Sequence, residues 1–574
     1  MMISGLFSGL PCDGSMGEIL LYYQRPQPAT WVYLSSFLVM GLFFMFHRFW
    51  SMRNLDVALL LMLSPGLMMV YEGRKMRYEQ SYKPTTQSAA ADQTREVAEQ
   101  QSLRGSTRWF TDSGGGPVTT NPTKDFTIAQ SSTSSTESRL AKSDARQGNS
   151  VRYVTWSPNE TLLNPEPNPW YSRVIESAVG ALAIQDETVP NATTAAETTT
   201  AAWSPDWVEL LGFLWLLGVS LLLLIRLLID ATLVRRPLLE PNLSIGGLSF
   251  IGVSLFLFLM ANVATSTIEE QRNQGPKLGP GYALLNALPD IQTTLDGQKT
   301  PWKSDTEFRE SRYRSAIAKA IAITANLAIV LGIVAVGYWH FDDTKMGIGA
   351  ATLYLLLPYT AQMTGSLQHV LPGAMLVWAV LMYRFPLISG GFLGLAAGLT
   401  YYPLFLLPLW LSFYWHRGIR RFLAGFAVTI LFLVSLLFLE SPEKALEHLQ
   451  HMFGLLAPAM QDLQGVWGLG WSPSFRLPVL VAFCILSFSF IWWPAQKNLA
   501  TLMSGTAAIM LASQFWHGFG GGLYMAWFLP LVLLTVFRPN LDDRVALEVV
   551  KDGWKRTPST GSTQLKLAPG TDAA

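Results

Sequence analysis

The sequence predicts an all-α integral membrane protein with roughly thirteen transmembrane helices and a long external loop that is partly disordered. Three observations lead there. Half of the 574 residues are hydrophobic and only 14% are charged, where a soluble protein carries about 25% charge. Apolar runs of near 20 residues recur along the chain, and about 20 suffice to cross a hydrocarbon core of roughly 30 Å. Backbone groups in lipid must bond one another, so such runs fold as helices. Finally, the short polar corners between runs alternate between basic ones and ones without Lys or Arg.

Taken in order, the expected helix cores lie at about 30–50, 55–71, 207–229, 243–263, 315–339, 347–363, 367–383, 386–400, 403–415, 420–439, 474–493, 498–514 and 523–537. His47-Arg48 and Arg53 separate the first two, and Arg235-Arg236 separate the third and fourth. Asp342-Asp343 precede Lys345 between the fifth and sixth, where they read as a turn and a helix N-cap. The polar corner Thr364–His369 follows, then Arg384, then Thr400-Tyr401-Tyr402 before Pro403. The eighth and ninth cores are short, so they are either two half-helices or one segment bent at Pro403. Arg417, Arg420 and Arg421 come next, followed by a longer connection over 440–473. Its start, Ser441-Pro442-Glu443, suits a helix N-terminus, and Ala445, Leu446, Leu449, Met452 and Phe453 form one apolar stripe. That pattern predicts an amphipathic helix on the membrane surface. Lys497 and the corner Trp516-His517-Gly518 bound the last helices.

Basic corners mark the cytoplasmic side. The basic corners here fall on one side of a single alternating assignment, with the N-terminus outside and the C-terminus cytoplasmic in a plasma membrane. If the eighth and ninth cores were one segment, everything after them would flip. The organisation is then 1–71 with two helices, an external loop over 72–206, two helices to 263, a second external loop over 264–314, a helical domain to 537 and a cytoplasmic tail. Residues 85–150 and 188–202 have the Ser/Thr/Ala/Gln-rich composition of disordered chain, while 151–183 carries Tyr153, Trp156, Trp170 and Tyr171.

A net charge of +1 argues against nucleic acid as a partner. Cys12 and Cys484 are far apart, so neither a disulfide framework nor a metal site is expected. The N-terminus lacks the pattern of a cleaved signal peptide. Walker, dinucleotide-binding, CxxC and HExxH patterns are missing, and no cofactor is expected.

Polar groups at helix ends are where a membrane protein keeps its chemistry. On the outer side, Gln368-His369 open a helix, which either hydrates that end or donates to an anionic ligand. Tyr401-Tyr402 end a helix whose small residues Gly391, Gly394 and Gly398 permit close approach. They act as interface anchors or line a groove for an amphiphile. His517 sits in the last outer corner. Glu447, His448 and His451 share one turn, which is a solvated face or a weak metal-type cluster. A transferase needs a carboxylate to activate an acceptor hydroxyl; Glu72, beside Arg74, Lys75 and Arg77, and Asp290 are the two candidates.

Residues 313–440 resemble the GT-C superfamily of membrane glycosyltransferases, and most of all its polyprenol-phosphate-mannose-dependent mannosyltransferase-like members. The likeness rests on Asp342 to Lys345, Leu357-Pro358-Tyr359, Gln368-His369, Tyr383-Arg384, Gly394-Leu-Ala-Ala-Gly398 and Tyr401-Tyr402-Pro403. Such families often keep a lysine where Thr400 stands and an acidic residue soon after the first helix, where Glu72 is a displaced counterpart. The resemblance implies a sugar donor linked to a polyprenyl phosphate, bound among membrane lipid at the outer leaflet. It assigns Glu72 or Asp290 as base and Gln368, His369, Tyr401 and Tyr402 as the donor-phosphate groove. A non-catalytic scaffold of an envelope complex and a transporter are the alternatives. Transporters place charges at the midplane and repeat their halves, whereas Arg226 and Asp230 lie near a helix end.

Overall fold

In the computed structural model of the protein, the described residues are 27–48, 50–77, 204–230, 239–267, 272–273, 281–291, 293, 305–415, 418–440, 442–454, 463–495, 497–519 and 523–539. They belong to one compact unit built from Met1–Ala89 and Trp203–Ala574. The segments 85–150, 151–183 and 188–202, the tail beyond 539, and Cys12, Arg235, Arg236, His416 and Arg417 lie outside the described residues.

The architecture is helical. In chain order the helices are α1 (Pro28–Phe43), α2 (Met52–Arg77), α3 (Pro205–Ile229), α4 (Ile245–Ala264), the short α5 (Ala283–Asn286), α6 (Asp305–Trp339), α7 (Thr344–Leu356) and α8 (Pro358–Met363). Then come α9 (Leu367–Leu381), α10 (Pro386–Leu399), α11 (Leu407–Tyr414), α12 (Ile419–Glu440), α13 (Ala445–Phe453), α14 (Arg476–Ser489), α15 (Leu499–Ser513) and α16 (Leu529–Phe537). Two dipeptide strands, β1 (Arg272–Asn273) and β2 (Pro289–Asp290), pair antiparallel beside α5. Among the described residues, five helical stretches are long and apolar enough to cross a membrane: Met52–Arg77, Pro205–Ile229, Ile245–Ala264, Arg312–Trp339 and Ile419–Leu439.

Helix α15 is the centre. Every residue from Leu499 to Ser513 is buried, as expected of a helix that is apolar on all sides. Its start is fixed by a reciprocal cap in which the Asn498 side chain accepts from Thr501 N–H and Thr501 Oγ1 accepts from Asn498 N–H. Around it pack α3, α11, α14 and α16. The outer helices expose large apolar side chains, among them Phe250 of α4, Leu431 of α12 and Ile485 of α14. An apolar exterior of that kind belongs in lipid.

Several sequence expectations shift in detail. The run 347–363 is not one helix. Leu357 is extended (φ −62°, ψ 133°), and Pro358 begins a new helix, because a residue before proline avoids the helical region. The eighth and ninth expected cores are separate helical segments. The chain reverses at Thr400-Tyr401, runs through a 3-10 turn over Tyr402–Leu406, and continues as α11. Tyr414 at the far end of α11 donates to the carbonyl of Tyr383, just before α10 begins, at 2.6 Å. Asp343 is the expected cap: its carboxylate accepts from Met346 N–H at 3.2 Å, while Asp342 takes the turn at φ 55°. In α13 the apolar stripe divides. Ala445 and Met452 are buried, but Leu446 is 69% exposed.

The described basic corners gather at one end of the bundle. There His340 contacts the Leu381 carbonyl at 2.8 Å, Phe43 meets Phe537 edge-on, and Arg53 donates to the carbonyls of Phe43 and Glu240. Four charges close the same end. Arg226 holds both oxygens of Asp56 (2.7 and 3.0 Å) and one of Asp230 (3.0 Å); Arg538 holds the other oxygen of Asp230 at 2.7 Å. Asp56 comes from α2, the middle pair from the end of α3, and Arg538 follows α16.

Glycines set the tightest helix pair. A Cβ at Gly425 of α12 would collide with the Leu387 carbonyl of α10, and one at Gly390 with the Phe422 carbonyl. Backbones that meet so closely gain van der Waals contact, the main source of helix association in lipid. Gly425→Ala is expected to push the pair apart at a cost of about 1–3 kcal/mol. A lowered thermal unfolding midpoint in detergent checks it, and an unchanged midpoint would contradict the packing described.

Candidate functional site

At the opposite end, the corners 366–369, 400–402, 514–519 and 523–527 meet over the top of α15. Aromatic rings join them. His369 lies on Tyr524 with ring centroids 4.1 Å apart, and its Nδ1 contacts Tyr359 Oη at 2.7 Å. Tyr524 is 4.5 Å from both His517 and Trp527. Tyr402 stacks on His517 at 4.7 Å and on Tyr401 at 4.3 Å, and the Tyr401 hydroxyl donates to that of Tyr402 at 3.1 Å. Trp516 closes the group 5.2 Å from Tyr402. The sequence folds this way because Pro403 ends α10's direction at the two tyrosines, and because Gln514 Oε1 accepts from Tyr524 N–H at 3.1 Å, closing the corner after α15.

The histidines are neutral donors and acceptors here. Phe519 N–H donates to His517 Nδ1 at 3.0 Å. Nδ1 is therefore the acceptor, and the proton sits on Nε2. That Nε2 is buried and has no hydrogen-bond partner, as do Trp516 Nε1 and Thr400 Oγ1. Burial, first of all, pushes the His517 imidazole down to about 3, with the nearby Arg476 charge adding to it. Arg476, the first residue of α14, donates Nε and Nη2 to the Trp516 carbonyl at 3.2 and 3.1 Å. Burial pushes the Tyr401 phenol up to about 12, and burial together with the charge of Asp290 raises that of Tyr524. Both phenols are neutral and can donate.

Asp290 arrives on the segment 281–293, which is fastened across this end. Tyr282 Oη donates to the Leu433 carbonyl at 2.8 Å, Gln368 Nε2 to Asn286 Oδ1 at 2.8 Å, and Thr293 Oγ1 to the Gln362 carbonyl at 2.7 Å. Gly365 leaves room for the Ile291 backbone. Asp290, Gln368, His369, Tyr401, Tyr402 and His517 therefore belong to one neighbourhood. Glu72 does not join them: among the described residues no hydrogen bond or ion pair links it to the cluster. Its basic neighbours are engaged as well, Arg74 with Glu209 at 3.1 Å and Arg77 with Asp206 and Glu209 at 2.8 and 2.6 Å. No group of three metal-ligating side chains occurs among the described residues, and the His451 side chain lies outside them.

Arg476, Tyr524 and Trp527 are site residues that sequence reasoning missed, while Trp516 and Tyr359 stood only as members of the corner Trp516-His517-Gly518 and the motif Leu357-Pro358-Tyr359. Only Arg476 left a signal, as a lone arginine opening an apolar helix. No family model matches the chain, and no curated protein or solved structure is similar to it.

The buried imidazole makes a pH prediction. His517 is neutral when folded and titrates near its ordinary value of about 6.5 when unfolded. Between about pH 6.5 and 3 the unfolded state binds the extra proton, so stability is full above that window and falls as pH drops through it. Thermal unfolding from pH 7 to pH 4 should show this loss, and His517→Asn should reduce the slope.

Proposed function

We propose that this chain is a membrane glycosyltransferase that moves a sugar from a polyprenyl-phosphate donor to a hydroxyl acceptor at the outer leaflet. One observation carries the reading. A carboxylate, Asp290, lies near enough to Tyr524 to act on its phenol, within a buried group of tyrosine, tryptophan and histidine at the bundle end opposite the basic corners, the end that the positive-inside tendency puts outside. Aromatic faces pack on the C–H face of a sugar, and neutral N–H and O–H groups hold its hydroxyls.

In the reaction, Asp290 takes the proton from the acceptor hydroxyl. The acceptor oxygen bonds to the anomeric carbon as the bond from that carbon to the phosphate oxygen breaks. The leaving polyprenyl phosphate keeps the bonding electron pair, and the charge it gains is met by the donors His517 Nε2–H and Trp516 Nε1–H and by Arg476. Incubating the purified protein in nanodiscs with polyprenyl-phosphate mannose and glucose, with free polyprenyl phosphate as the readout, tests the proposal. Release that depends on an added acceptor supports it. No release from any donor would favour a non-catalytic scaffold.

A further inference from the structure

The hydrogen bond between Tyr359 and His369 has a direction that its surroundings fix. Pro358 starts α8 and puts Tyr359 in its first turn, while His369 stands in the first turn of α9. The phenol oxygen and His369 Nδ1 are 2.7 Å apart, and both side chains are buried. Gly373, about one turn further along α9, admits the Ala526 carbonyl, which a Cβ there would strike. That close approach seats the turn Met525–Trp527 on α9, and the Ala526 N–H faces the phenol oxygen. An oxygen that already receives an N–H has its own proton to give. Among the described residues, His369 Nδ1 is the acceptor within its reach. Were Nδ1–H the donor instead, the buried hydroxyl proton would be left unpaired and would carry its full desolvation penalty. Nδ1 is therefore the acceptor, and the ring proton sits on Nε2. Tyr524 holds the plane of the ring, with centroids 4.1 Å apart and planes inclined by 21°.

We propose that Tyr359 is a positioning residue whose hydroxyl fixes His369 as the Nε2–H tautomer, so that His369 and His517 offer a pair of neutral N–H donors to one ligand. His517 reaches the same form by another route, since its Nδ1 accepts from Phe519 N–H at 3.0 Å. Both imidazoles pack on Tyr524, which keeps the two donors in one neighbourhood. Two N–H edges suit an oxygen that offers lone pairs, such as a sugar hydroxyl. With both Nδ1 atoms occupied, neither ring is free to act as a base, and proton removal is left to the carboxylate. The proposal rests on the transferase reading for its effect on turnover; the tautomer itself stands apart from that reading.

The test is nitrogen NMR on the full chain in nanodiscs, with its seven histidines labelled with nitrogen-15. The His369 signals are assigned by their loss in His369→Gln and, without any variant, by their contact with carbon-13-labelled tyrosine. At pH 7 His369 should show a protonated Nε2 and an Nδ1 displaced by an accepted hydrogen bond. Tyr359→Phe should move that Nδ1 signal to the position of an unbonded nitrogen and leave the His517 signals in place. A residue that only fills space would not move it. A protonated Nδ1 in the wild type, or an Nδ1 signal unmoved in Tyr359→Phe, would overturn the proposal, and the first of these is decisive even where the variant fails to fold. In the transfer assay Tyr359→Phe should lower kcat/KM about tenfold, the worth of one such bond. Unchanged transfer with a released Nδ1 would overturn the link to the ligand. No transfer by a wild type that shows the expected tautomer would sink the transferase reading alone.

Discussion

Asp290→Asn is expected to reduce sugar transfer by about 10²–10⁴-fold while leaving the fold and donor binding in place. The amide keeps the shape of the carboxylate and can still pair with its surroundings, but it cannot accept the acceptor's proton. Because the backbone of Asp290 pairs with Arg272 in the β1–β2 ladder, and Ile291 is seated on Gly365, the segment keeps its place without the charge. A fall in turnover at saturating donor, with an unchanged donor KM, is the signature of a group that acts in the transition state. Glu72→Gln, by contrast, should leave turnover within about twofold, because among the described residues no hydrogen bond or ion pair joins that carboxylate to the cluster. Comparable losses from both changes would remove Asp290 from its role.

The second large effect concerns stability. Asp230 accepts from Arg226 and Arg538, and its side chain is 1% exposed. Asp230→Ala takes a counter-charge from both guanidinium groups, leaving Arg226 with Asp56 and Arg538 without its carboxylate. Breaking a buried pair in this way costs about 3–5 kcal/mol. The expected result is a protein that extracts poorly in mild detergent and unfolds at a markedly lower temperature. The double variant Asp230→Ala with Arg538→Met should recover part of the loss, since it also removes one of the stranded cations. If the double variant is as unstable as the sum of the single ones, the two side chains do not act as a pair.

How much of this was legible in the chain follows from how local each signal is. Asp343 as a cap and the break before Pro403 depend on neighbours within a few residues, and the structure bears them out. Pro358 carried the same kind of signal, yet hydropathy alone ran a helix across it, because apolar content does not register a missing N–H. The site is different in kind. Gln368, His369, Tyr401, Tyr402 and His517 stood out as polar or aromatic groups at apolar ends. Tyr524, Trp527 and Tyr359 did not, because aromatic residues inside apolar runs read as core. Only the packing of 514–519 and 523–527 over α15 brings Tyr524 and Trp527 against the histidines. Choosing Asp290 over Glu72 needed the path of 281–293, which no periodicity encodes.

The four-charge closure also bears on how the chain is made. Asp56 and Arg226 leave the ribosome early and can meet as soon as α3 is in the membrane. Arg538 reaches Asp230 only after the final helix has followed, hundreds of residues later. Until then the closure lacks its contact with the end of the last helix. A chain truncated before residue 538 therefore lacks the contact that ties the end of the last helix to the first ones.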